Sequence, residues 1–186
     1  MTRIGFGTSN KLHSRLIRWV TRSPWSHVWV EYESEAWGGE WAAHAGPSGV
    51  VKVPLETVHA EQSKRKVYDC RLDLIPGLRA SRGHVGAAYD YRSVLWNGLL
   101  LLLSRVFARE WLTKIVTRNR SKMSCSEFVS TIMKRAGVFD TERAVKPLFA
   151  MGVSNGESLD PEFVTPGALE QFCAASEDFT VVGQGE

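Results

Sequence analysis

The sequence predicts an α+β domain, an antiparallel sheet packed against helices with a cysteine at the N-terminus of one of them. Three observations carry this. The first part of the chain holds short β-rich segments separated by Gly and Pro turns. Beyond residue 75 the apolar spacing changes to that of helices. A capping pattern at Ser124 then opens an amphipathic helix with Cys125 at its first position. Strands first and helices later is the element order of an α+β architecture.

Residues 3–7 read as a first strand. From Ser9, the expected N-cap, Leu12, Leu16, Ile17, Trp19 and Val20 recur at helical spacing until Ser23-Pro24-Trp25 breaks the pattern. His27 to Glu33 alternates and is rich in β-branched and aromatic residues, which predicts a strand. Two more strands follow at Trp41–Ala45 and Val50–Val53, bounded by Gly38-Gly39 and Gly46-Pro47-Ser48-Gly49, and together they suggest an antiparallel meander. Pro54 starts a short helical or turn segment, and Arg65 to Leu72 is a further strand. Helices are expected over Leu78–Ala88, Ser93–Phe107, Glu110–Val116 and Ser124–Ala136. A last one opens at Thr165-Pro166, with Thr165 as N-cap and proline at the first helical position. Phe179–Val182 is a closing strand and Asn155–Ser158 a loop.

Composition narrows the function classes. At 186 residues the chain suits one domain with a proper core, read as spanning 1–186 with a helical insertion near 93–120. Its 44% hydrophobic and 23% charged residues are those of a globular protein, so disorder is not the default. A net charge of +3 is too small to argue for nucleic acid as a partner. Three widely spaced cysteines, Cys70, Cys125 and Cys173, form neither a disulfide framework nor a zinc knuckle, which favours a reducing compartment. The N-terminus lacks the apolar run of a secretory signal. A cytoplasmic location is expected, with phage association or release by another route if the protein acts outside. Leu99–Leu103 and its flanks, interrupted by Asn97, Gly98, Ser104 and Arg105, fall short of the roughly 18–20 apolar residues of a membrane span. They read as a buried or partner-facing helix, with a hydrophobic lid or interfacial helix as the rival.

Chemistry concentrates at Ser124-Cys125-Ser126-Glu127. Ser followed three residues later by Glu is a capping box, and Phe128, Val129, Ile132, Met133 and Ala136 make one apolar face behind it. Helix N-termini stabilise a thiolate and lower the cysteine pKa. The amide of Cys125 is also a candidate oxyanion donor. A bland reading competes, since most free cysteines are buried and inert. The histidines tilt the balance. If the strands at 27–33 and 41–45 are antiparallel neighbours, His27 and His44 share one face. His44 can then hold one ring nitrogen of His27 and leave the other for the sulfur, the logic of a nucleophile, base and orienter. Glu31 competes as orienter but lies about 13 Å along the strand from His27. His13, His59 and His84 keep structural readings. A zinc site from His27, His44 and Cys125 lacks a fourth ligand with any spacing signal, so no metal is assigned.

Several blocks together carry a family resemblance. Ser26-His27-Val28-Trp29-Val30 resembles the SHVGI-type strand of circularly permuted NlpC-like, papain-related cysteine peptidases, in which the catalytic His precedes the Cys. Ala43-His44-Ala45 with Gly49-Val50-Val51-Lys52-Val53-Pro54-Leu55 resembles the next block, which carries a polar triad residue. Gly86-Ala87-Ala88-Tyr89-Asp90-Tyr91, Ser124-Cys125-Ser126-Glu127-Phe128-Val129 and Val164-Thr165-Pro166-Gly167-Ala168-Leu169 are similar to the segments that follow. The blocks run in the family's order from about residue 20 to 170.

The resemblance implies a papain-like fold and a Cys125-His27-His44 triad without metal or organic cofactor. Hydrolysis would cleave an amide of a peptidoglycan stem peptide or related cell-wall peptide through a thioester. Two alternatives stand beside it. One is a lipid-directed acyltransferase or thioesterase of the lecithin:retinol acyltransferase-like group, with peripheral membrane contact through the Leu-rich stretch. The other is a non-catalytic relic. Trp29, where the family often has Gly, and Tyr89 and Tyr91 are the candidate substrate-binding residues. The rival for the Tyr89-Asp90-Tyr91 run is a helix end with one buried ring.

Overall fold

The computed structural model describes residues 1–89, 122–140, 144 and 164–185. Six segments pair antiparallel into one sheet: β1 (Thr2–Thr8), β2 (His27–Glu33), β3 (Glu40–Gly46), β4 (Gly49–Pro54), β5 (Lys64–Cys70) and β8 (Phe179–Gly185). Their spatial order is β4-β3-β2-β1-β5-β8. The expected α+β architecture and the β2-β3-β4 meander are both present. The first strand, however, lies inside the sheet, between β2 and β5. Local alternation predicts a strand but not its partners, and here they come from residues 27–32 and 64–69.

Period-two alternation divides the sheet into two unequal faces. Ile4, Phe6, Val28, Val30, Ala43, Ala45, Val50 and Tyr68 point to the larger one. There they meet α4 (Cys125–Arg135) through Phe128, Val129, Ile132 and Met133, and α5 (Pro166–Ala175) through Leu169, Phe172 and Cys173. α3 (Ile75–Ala80) packs on α4 so closely that a Cβ on Gly77 would stand 2.1 Å from the Ile132 carbonyl oxygen. The smaller face is a separate cluster of Trp29, Ala42, Leu55 and Val58, closed by the short α2 (Leu55–Ala60).

Trp29 decides how that second face packs. Its partner across the β1–β2 ladder is Gly5, and a Cβ there would fall 2.2 Å from the indole. The ring therefore lies flat over a residue without a side chain and is fully buried. This corrects the expectation that Trp29 lines a substrate cleft. It is a core residue of the smaller face.

Two other local readings change. The helix expected over Leu78–Ala88 is instead α3, a single 3-10 turn at Arg82–His84, and the two-residue β6 (Ala88–Tyr89), which pairs in parallel with β7 (Lys122–Met123). Gly86 takes φ +89° and its amide donates to the Val50 carbonyl, while the Val50 amide donates to Ala87, so this backbone is committed to β4. α1 (Leu12–Thr21) begins after Lys11 and not at Ser9, whose amide donates to Ser14 Oγ. Its periodic apolar residues Leu12, Leu16 and Trp19 face outward. The helices expected over 93–107 and 110–116, the insertion near 93–120, the Leu99–Leu103 stretch, Asp90, Tyr91 and the 155–158 loop lie outside the described residues.

Gly5→Ala should destabilise the protein by about 1–3 kcal/mol, because the methyl must push the indole out of a filled face. Urea denaturation against wild type measures this, and an unchanged midpoint would contradict the packing described.

Candidate active site

Cys125 is the first residue of α4, and the capping box that places it is complete. Ser124 Oγ accepts from the Glu127 amide at 3.3 Å, and the Ser124 amide donates to Glu127 Oε2 at 3.2 Å. The cysteine is free and buried. Its pKa is raised, because burial penalises the thiolate more than the surrounding donors support it. Those donors are the backbone amide of Val28, the Tyr89 hydroxyl, and the amides of Ser126 and of Cys125 itself. The resting group is thus a neutral thiol. This reverses the expected lowering by the helix start. The helix head softens the effect of burial without overcoming it.

The imidazoles meet at the neighbouring strand end. The β2–β3 ladder runs from Glu33↔Glu40 to Val30↔Ala43 and stops there, although both strands continue. Extending its register would set His44 opposite Trp29, and His27 is the next residue on that face, a diagonal neighbour. Their rings sit edge to face with centroids 5.1 Å apart, and His27 Nε2 lies 3.1 Å from His44 Nδ1. One of these nitrogens donates and the other accepts. When His27 Nε2–H donates, His27 Nδ1 carries a free lone pair. Both rings are held neutral. Burial lowers the His27 pKa to about 3, with further opposition from charge on His44, His13 and Lys11. Burial also lowers that of His44, against a partial pull upward from Glu61.

The strand backbone links these groups. His27 shares its face with Trp29, whose ring centroid is 5.8 Å away, whereas Cys125 belongs to the core on the Val28 and Val30 side. Val28 follows His27 directly, and its amide supports the Cys125 sulfur. The thiol and the imidazole pair therefore flank the same end of β2 from its two sides. Tyr89, partly buried on β6, adds its hydroxyl there.

A second polar group, missed in the sequence, lies further along β2. Glu31 is buried and accepts from Trp29 Nε1 at 2.8 Å. His59 Nε2 lies 3.0 Å from the same Glu31 oxygen. His59 belongs to α2, the short helical segment expected after Pro54. Glu31 is therefore engaged away from His27, as its distance along the strand suggested. A cleft of about 740 Å³ opens at this end, lined by Arg3, Glu31, Glu40, Leu55 and His59 among others, and includes none of Cys125, His27 and His44. With no nucleophile among its lining residues, it is not the candidate for covalent chemistry. Among the described residues no group of three or more His, Cys, Asp or Glu is placed to hold a metal ion, and no helix is long and apolar enough to cross a membrane.

No family model and no curated protein matches the chain. The fold is shared with the crystal structure of the metalloprotein yiiX from Escherichia coli O157:H7, a DUF1105 protein. The TM-score is 0.62 over 98% of this chain and 96% of that one, at 17% identity, which establishes a common fold alone.

The three thiols should differ in reactivity. Cys70 is pushed up to about 11 and Cys173 rises well above the ordinary range, both mainly through burial, whereas Cys125 has four donors around its sulfur. Alkylation of the folded protein followed by peptide mapping should label Cys125 first. Tyr89→Phe should slow that labelling by removing a donor to the thiolate. Equal, slow labelling of all three would contradict the environment described.

Proposed function

We propose that this chain is a papain-like cysteine hydrolase of the circularly permuted NlpC type, cleaving an amide bond through a thioester. Cys125 is the nucleophile, His27 the general base and His44 the residue that positions it. One observation carries the reading: the 3.1 Å His27–His44 contact stands at the strand end whose next amide, that of Val28, supports the Cys125 sulfur. The order and type of the motifs along the chain give the same assignment.

The chemistry follows from neutral partners. As the Cys125 sulfur attacks the substrate carbonyl carbon, its proton passes to His27 Nδ1. The Nε2–H bond to His44 keeps His27 in the tautomer that can accept it. Amides at the head of α4 stabilise the developing oxyanion. Collapse breaks the C–N bond, and the amine leaves with the proton held by His27. Water then attacks the thioester carbonyl while His27 takes its proton. Release of the acid restores the thiol. A cell-wall peptide amide is the substrate class implied by the resemblance. The outward-facing apolar row of α1 favours a second reading, in which the same thioester forms from, or is passed to, a lipid.

The His–His contact also sets a pH dependence. A proton gained by His44 turns its Nδ1 into a donor toward His27 Nε2, which forces the other tautomer and removes the base. Both histidines are depressed by burial, so the competent form persists below the ordinary imidazole pKa of about 6.5 and is lost only as pH falls through the lowered values. On a peptidoglycan fragment or a lipid ester that the wild type turns over, kcat/KM should be flat near neutrality, with an acid limb below that ordinary value. Cys125→Ala should abolish turnover, and His27→Ala should reduce it by roughly 10²–10⁴-fold. His44→Gln keeps an acceptor that does not titrate, so it should retain more activity than His44→Ala and move the acid limb to lower pH. A chelator should change nothing. Full turnover by Cys125→Ala on every active substrate would overturn the assignment.

A further inference from the structure

α1 presents to solvent the face that a core helix would bury. Ser14 is buried, with Oγ 2.6 Å from Ser26 Oγ and 3.1 Å from Thr8 Oγ1, while Leu12, Leu16 and Trp19 are 79, 40 and 66% exposed. The three exposed residues follow i, i+4, i+7 spacing and form one stripe. Directly beside it runs a second row, Lys11, Arg15, Arg18 and Arg22, at the same spacing. No acidic residue lies between Lys11 and Arg22. Lys11 Nζ is 3.5 Å from Glu61, in an exposed pair of little strength, and Arg15 and Arg22 are exposed. Single exposed apolar residues are ordinary. A leucine and tryptophan row aligned against a row of cations is not scattered.

The two rows together select the occupant. A nucleic acid would satisfy the cations and leave the apolar row in water. A second copy packed on the apolar row would cover that row and leave the basic row without an anionic partner. An anionic bilayer satisfies both, with Leu12, Leu16 and Trp19 entering the headgroup boundary and the arginines reaching the phosphates. We infer that α1 is an interfacial helix through which the protein docks on an anionic lipid surface. Its position gives the docking a use. Ser14 is tied to Ser26, the residue before His27, and Lys11 and His13 lie close enough to His27 for their charges to act on it. Docking would therefore hold the His27 end of the sheet behind α1, one helix thickness from the lipid. The inference rests on α1 and not on the catalytic reading, so Cys125→Ala should dock like wild type.

Co-sedimentation of the full chain with phosphatidylglycerol and with phosphatidylcholine vesicles tests it. Binding is expected to phosphatidylglycerol and to fall with salt. Leu12→Ser/Trp19→Ser, both at exposed positions, should weaken it by about tenfold or more, and Arg15→Gln/Arg22→Gln should do the same and flatten the salt dependence. Circular dichroism and thermal melts establish that each variant is folded. Absence of wild-type binding to any vesicle overturns the inference, as does unchanged binding by both folded variants. It is also overturned if Leu12→Ser/Trp19→Ser instead disperses a concentration-dependent dimer, or if binding is lost only on substituting Leu99–Leu103.

Discussion

The Val28 amide beside the Cys125 sulfur is where β2 meets the head of α4. A buried helix head needs partners for its first-turn amides, and a strand that runs past the end of a ladder needs partners for its own. Here both needs are met at one place. Ser124 and Glu127 close the capping box at the head of α4. The sulfur collects the amides of Ser126 and Cys125 from the helix and that of Val28 from the strand, beyond the last β2–β3 pair. The same opening of the ladder gives His27 and His44 room to meet diagonally. Without it, β3 would continue beside Val28 and the helix head would abut a closed sheet.

This arrangement sets the resting charge state. Hydrogen bonds to an ion contribute about 1.5–3 kcal/mol each. Removing that ion from water costs several kcal/mol. For Cys125 the cost of burial prevails over the donors around the sulfur. The imidazoles lie under the same constraint with the opposite sign, so burial removes their charge as well. Cys125, His27 and His44 therefore all rest neutral.

Much of the fold could be read from local pattern. β2 was bounded correctly because its alternation is strong and Pro24 stands before it. The start of α4 followed from the capping box. That of α5 followed from Thr165, whose Oγ1 accepts from the Ala168 amide at 3.1 Å. What failed depended on tertiary context. The interior place of β1 rests on pairings tens of residues apart. The helix read through Leu78–Ala88 overlooked Gly83 and Gly86 and the bonds that hold this backbone to Val50. In the site, the His27–His44 meeting was legible from two adjacent strands. The direction of the Cys125 pKa was not, because it depends on how deeply the helix head is covered. Trp29 was misplaced for a related reason: only the cross-strand pairing shows that Gly5 makes room for its ring.

Strand parity makes the final connection between site and surface. His27 stands beside Trp29 and Cys125 belongs to the core cluster of Val28 and Val30, so the end of β2 is what the two residues share. The 740 Å³ cleft beside Glu31 includes neither of them. Among the described elements that approach this end are β6, through Tyr89, and the start of α1, through Lys11, His13 and the Ser14–Ser26 bond. The element that turns its apolar row outward is therefore also one that borders the imidazoles. A protein that buried Leu12, Leu16 and Trp19 would have to expose Ser14, break its bonds to Thr8 and Ser26, and lose the anchor beside His27. The inverted polarity of α1 is thus tied structurally to the position of His27.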